Sequence, residues 1–166
     1  MNNDFLPADY NLPQGQNKYL KFQDGANKFR IMSKSVVGWL DWNDKTPVRT
    51  KECPIQLFNP GKPAKHFWAF IVWDYQAKTI KILEVTQSTI QQGIMALFKD
   101  EDWGNPAQYD LTVTKTGKDM ETKYVVMPGM KRDVGDDIKF SYDSTFINLE
   151  ALFSGEDPFA VDKIKA

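Results

Sequence analysis

Phe67-Trp68-Ala69-Phe70-Ile71-Val72-Trp73 is the longest apolar run in the chain, and its reading decides the fold. Seven residues fall far short of the roughly 18 a membrane-spanning helix needs, and their β-branched and aromatic character is that of a strand. Asp74 to Ala77 turns the chain and Lys78 to Val85 returns, so the run predicts one arm of a hairpin. Side chains alternate along a strand, which puts His66, Trp68, Phe70 and Val72 on one face and Phe67, Ala69, Ile71 and Trp73 on the other. Aromatics on both faces leave two readings open: a loop or tail covers the outer face, or one aromatic row is free to stack on a ligand. Ala69 suits a crowded interior, so the expectation is Trp68 and Phe70 outward, with Lys81 of the returning strand as their companion cation.

Upstream, Tyr19 to Phe22 and Lys28 to Met32 read as short strands joined through the Asp24-Gly25 turn signal, and Ser35 to Trp42 continues as strand with Gly38 at a kink or bulge. Asn43 to Lys65 holds four prolines and a surplus of bases; it reads as one long irregular loop, a feature usually functional in a compact domain. Downstream, Ile90, Ile94, Leu97 and Phe98 share one helical face over Thr86 to Lys99, and Ser88 to Gln91 fits a capping box. Tyr109 to Thr114 and Thr122 to Met127 are strands around a turn, Pro128-Gly129 stops the second, and Thr145 to Phe153 is an apolar patch suited to a short helix.

The resulting order, β-β-β-α-β-β, predicts an all-β, β-rich fold with one helix: a five-stranded OB-type barrel, which binds oligomers on its second and third strands and the adjoining loops. An α+β sandwich with one helix on an antiparallel sheet is the alternative. Residues 1–17 read as a flexible arm, 18–153 as the domain and 154–166 as an acidic C-terminal tail.

The 166 residues fit one domain, and 42% hydrophobic with 26% charged residues is the composition of a soluble globular chain. The polar start Met1-Asn2-Asn3-Asp4 lacks a signal peptide's basic and apolar regions, and the single Cys53 suits a reducing compartment, so the expected location is cytoplasmic. The net charge of -1 conceals a sorting along the chain. Residues 17–82 carry twelve bases against five acids, whereas residues 83–166 carry nine against fifteen. Half of the 22 aromatics and four of the five tryptophans fall in the same basic stretch. Phosphates call for cations and unpaired bases stack on flat rings, so this mixture points to single-stranded nucleic acid.

Catalytic chemistry is poorly supplied. One histidine, His66, and one cysteine, Cys53, do not complete a zinc site, and no phosphate-binding glycine loop, nucleophile elbow or dinucleotide fingerprint occurs. Asp136-Asp137 and Asp100-Glu101-Asp102 read as solvated acids of loops rather than metal ligands. The chain is therefore expected to be no enzyme and to need no cofactor or metal. Its candidate nucleic-acid-binding residues are Trp39, Trp42, Lys45, Arg49, Lys51, Lys62, Lys65, Trp68, Phe70 and Lys81.

Lys28 to Ser33, the basic loop, Trp68 to Asp74, Lys81-Ile82-Leu83 and the helix after them resemble phage-encoded single-stranded DNA-binding proteins built on an OB fold. Tyr109 to Val113 followed by Thr122 to Val126 and Pro128 carry the same resemblance, which spans about Lys18 to Phe153. With only Cys53 and His66, the chain lacks the zinc-binding insert of the T4-type branch. The resemblance implies sequence-independent coating of single-stranded DNA in phage replication or recombination, in the host cytoplasm. Glu156-Asp157-Pro158-Phe159 is similar to the acidic tips through which such proteins recruit replication or recombination partners. Residues 133–166 hold eight acids and three bases, so the tail is expected to lie over the basic groove until DNA displaces it. A protein-interaction module of phage or bacterial origin, with no nucleic-acid binding, is the alternative.

Overall fold

The apolar run lies within the longest strand of the computed structural model, which describes residues 5–6 and 18–160. In chain order the elements are β1 (Gly25–Ile31), β2 (Val36–Asn43), β3 (Thr46–Thr50), β4 (Lys65–Asp74), β5 (Thr79–Val85), α1 (Ser88–Lys99), β6 (Tyr109–Thr116), β7 (Lys123–Lys131), α2 (Asp136–Asp143) and α3 (Ala151–Ser154). The strands form one antiparallel sheet in the order β3-β2-β4-β1-β6-β7, with β5 on the other edge of β4. The fold is β-rich, as expected, but the count of five strands is corrected: the described residues hold seven, in one sheet with no ladder joining β5 to β7.

Two of the extra strands have local causes. β1 and β2 share one edge of β4, Ile31 lying opposite Val72 and Val37 opposite Trp68, so they are two halves of a single path bent at Met32 to Ser35. The bend is pinned to β4 by the Met32 amide donating to the Ile71 carbonyl (2.8 Å) and the Ile71 amide donating to Ser33 Oγ (2.9 Å). β3 comes out of the expected long loop: Asp44, at φ 57, reverses the chain and pairs Thr46–Thr50 with Trp39–Asn43. Gly38 is needed where these strands close up, since a Cβ there would strike the Thr50 carbonyl and the Phe153 ring.

Tyr19 to Phe22 is not a hairpin arm. Lys18 to Leu20 runs parallel along the outer edge of β5, with the Leu20 amide donating to the Ile82 carbonyl (2.8 Å) and the Ile82 amide to the Lys18 carbonyl (3.0 Å), because Leu20 there buries its side chain. β7 continues through Pro128 and Gly129 instead of stopping: it is an edge strand, where a missing N–H is harmless, and its register shifts opposite Tyr109 to Leu111.

One helix within the barrel plan and a short one in Thr145 to Phe153 were the expectation; the described residues hold three α-helices, of which α3 covers only the end of that patch and α2 is new. Asp136 and Asp137 open α2, where carboxylates suit the positive end of the helix dipole, and Ile138 turns inward. α1 starts as expected, but Gln91 closes no capping box; its Nε2 donates to the carbonyls of Val85 and His66 and ties the helix to β4 and β5.

The two faces of β4 feed two cores. Phe70 and Val72 join Phe29, Leu83, Ile90, Ile94, Tyr109 and Leu111 beneath α1. Phe67, Ala69, Ile71 and Trp73 join Ile82, Ile138, Leu149 and Leu152 of the C-terminal segment. The covered-face reading of the run is therefore the one the fold adopts, and Phe70 is core, 2% exposed, rather than outward. At about 1.5–3 kcal/mol per fully buried large apolar side chain, both layers are structural. Residues 154–160 return to this layer too: the Asn148 amide donates to the Pro158 carbonyl (2.8 Å) and Phe159 sits edge-on to Tyr19. The tail expected from residue 154 is thus docked as far as Phe159, and residues 161–166 lie outside the described ones, as do 1–4 and 7–17 of the arm.

Candidate nucleic-acid interface

The residues that share a solvent-facing opening lie where β2 ends and the loop after β3 returns. Asp41 is buried at the end of β2, and both its oxygens are used: Oδ1 accepts from the Trp42 amide (2.8 Å) and Oδ2 from the Phe58 amide (3.0 Å). One carboxylate thus fixes the backbone of two aromatic residues, one on the strand and one on the loop. Both rings stay exposed, Trp42 at 46% and Phe58 at 55%. Beyond Phe58, the Asn59 carbonyl accepts from the Lys62 amide (2.9 Å), a tight turn that presents Lys62. Trp42, Phe58, Lys62 and Lys65 line one cleft of about 890 Å³, with Asp44 on its rim and Lys45 at the adjoining hairpin turn. Lys45, Lys62 and Lys65 are exposed and, among the described residues, none is in an ion pair. Free cations beside exposed rings can hold phosphates while unpaired bases stack.

The other expected residues are distributed differently. Trp39 is half-buried against the His66 ring, the centroids 4.9 Å apart. His66 Nδ1 is buried without a hydrogen-bond partner among the described residues. Arg49 is taken by Glu84 (2.7 Å) and lies over Phe67. Lys51 reaches Glu150 (3.1 Å) and the Phe153 ring. Lys81 is corrected from an exposed cation to a buried one, 7% exposed and paired with Asp74 at 2.9 Å, because its position opposite Val72 turns it into the layer beneath α1. Trp68 is half-buried and Phe70 buried; both line a separate groove against α1.

Two functional candidates escaped the sequence reading. Phe58 is an aromatic inside the proline-rich basic loop, and that placement was its only signal. Asp41 looks like any strand-end acid until its two amide partners are seen. Among the described residues no three His, Cys, Asp or Glu side chains gather as metal ligands, and no helix is long and apolar enough to cross a membrane.

Whole-sequence comparison agrees with the resemblance drawn from the strands. The chain is similar to a curated protein of Escherichia phage T5 described as "Probable ssDNA-binding protein", 26% identical over 140 residues, a match covering 66% of this chain. It takes in 54% of that protein, so the chain spans about half the length of the curated relative it matches. No family model and no solved structure matches.

Proposed function

We propose that the protein binds single-stranded DNA without regard to sequence, holding phosphates on Lys45, Lys62 and Lys65 and stacking bases on Trp42 and Phe58. The observation that carries this reading is the pair of exposed rings fixed through one buried carboxylate beside lysines without acidic partners. The phage relative's description supports the same ligand. Trp39, on the same strand as Trp42, serves as a secondary contact, whereas Lys51 is held by Glu150 and is not counted among the phosphate contacts. An OB-type plan is supported by the bent β1–β2 path, by the helix between β5 and β6, and by the position of the cleft in the loop leading into β4. Coating of DNA in phage replication or recombination follows from such binding, which needs no catalytic group, and the acidic C-terminal end would then engage partner proteins.

The test is a competition series of oligo-dT, duplex DNA and RNA of equal length. Single-stranded DNA is expected to compete best. Trp42→Ala and Phe58→Ala are each expected to cost about 1–3 kcal/mol, or about 5- to 150-fold in affinity, with melting temperature unchanged since both rings are exposed. Equal competition by duplex would overturn the reading.

A further inference from the structure

The groove against α1 has the wrong chemistry for a polyanion. It runs between the bend at Met32 to Ser35 and α1, encloses about 710 Å³, and is walled by Val37, Trp68, Phe70, Met95 and Phe98, with Lys34 its one charged lining residue. Val37, Met95 and Phe98 are exposed there, Phe98 at 59%, and clustered exposed apolar side chains mark a protein-docking surface.

The same chain carries a segment that fits it. Phe5 is 92% exposed beside an exposed Leu6, so the pair does not use its own chain's groove. In sequence the pair stands between Asp4 and Asp9, in a 17-residue stretch with no base. The groove has Lys34 on its lip, and Lys99 follows Phe98 at the end of α1, so the charges are complementary. We infer that the groove takes the Phe5–Leu6 segment of a second copy of this chain, the two apolar side chains entering beside Trp68 and Phe98 and the flanking acids meeting Lys34 and Lys99. Eleven residues separate Leu6 from Lys18, a length that spans at most about 36–40 Å, more than the ~30 Å width of a small domain and so sufficient to reach a neighbour. Arm and groove are different surfaces, so the contact is head-to-tail, and a row of joined copies still offers one free arm at one end and one free groove at the other.

Sedimentation of the full chain without DNA tests this. The wild type should gain mass beyond the monomer with concentration. Phe5→Ser/Leu6→Ser and, separately, Phe98→Glu should each weaken association about 10- to 30-fold, the scale of losing a buried anchor. Both variants change exposed residues and should keep the wild-type melting temperature and affinity for a short oligo-dT, which separates this result from any failure of the DNA-binding reading. Mixed together, the two variants should form a heterodimer and nothing larger, since one supplies the intact arm and the other the intact groove. A wild type that stays monomeric, association that survives either variant, or a mixture that restores no dimer would overturn the inference. So would protection of the groove by DNA instead of by a second chain.

Discussion

Asp110 is the residue on which the most groups converge. Tyr75 Oη donates to it at 2.6 Å, Arg132 Nη2 at 2.6 Å and Arg30 Nη1 at 3.4 Å, with Lys28 Nζ at 3.6 Å. Burial pushes its carboxyl up, but the Tyr75 hydroxyl, Arg132 and Lys28 together outweigh that and hold it below the ordinary carboxylate range. Tyr75 is pushed up to about 12, by burial first and then by this hydrogen bond. A folded pKa below the unfolded value of about 3.9 gives stability that is present above that pH and is lost as pH falls through the folded value. Asp110→Ala leaves Arg30 buried without its carboxylate and should cost about 3–5 kcal/mol at pH 7, with the gap to wild type narrowing below about pH 4 in urea melts. A constant gap across that range would contradict the network's role. Asp41 is the corresponding residue of the cleft. Asp41→Ala should lower oligo-dT affinity severalfold with both rings still present, because their backbone is no longer held; unchanged affinity would mean the carboxylate only satisfies a turn.

At the scale of elements, what the sequence disclosed depended on whether side chains or backbone carry the structure. The β4–β5 hairpin, α1 and β6 were legible because apolar periodicity writes them directly. β3 was not: Thr46-Pro47-Val48-Arg49-Thr50 has no apolar alternation and is held by its backbone ladder to β2. Alternation also assigned Trp68 and Phe70 to the correct common face, but it cannot tell which face a distant segment covers. Ile138, Leu149 and Leu152, some seventy residues on, cover the other one. The cleft was half legible, since Trp42, Lys45, Lys62 and Lys65 follow from the mixture of rings and bases, while Lys81 was misread because a buried partner, Asp74, is invisible in a charge count. Two predictions belong to the C-terminal layer. Phe159→Ala should lower stability by about 1–2 kcal/mol, a fraction of a fully buried ring, whereas a solvated tail would lose nothing. Glu150→Gln frees Lys51 and should raise low-salt affinity for oligo-dT by less than about fivefold, the upper worth of an exposed ion pair, with no gain at high salt.

For the whole molecule, folding thins out the basic stretch before any ligand arrives. Of the six cations expected to meet phosphate, Arg49, Lys51 and Lys81 are spent on Glu84, Glu150 and Asp74, and Lys45, Lys62 and Lys65 remain. At about -0.7 in log affinity against log salt per phosphate neutralised on a single strand, three contacts give a slope near -2, where six would give about -4. The most direct measurement is therefore tryptophan fluorescence during oligo-dT titration across a salt series, for the wild type and for Lys62→Ala/Lys65→Ala. The expected result is quenching by oligo-dT, a wild-type slope near -2, and a slope near -0.7 with weaker binding in the variant. No quenching at low salt, or an affinity and slope that the double substitution leaves unchanged, would contradict the account.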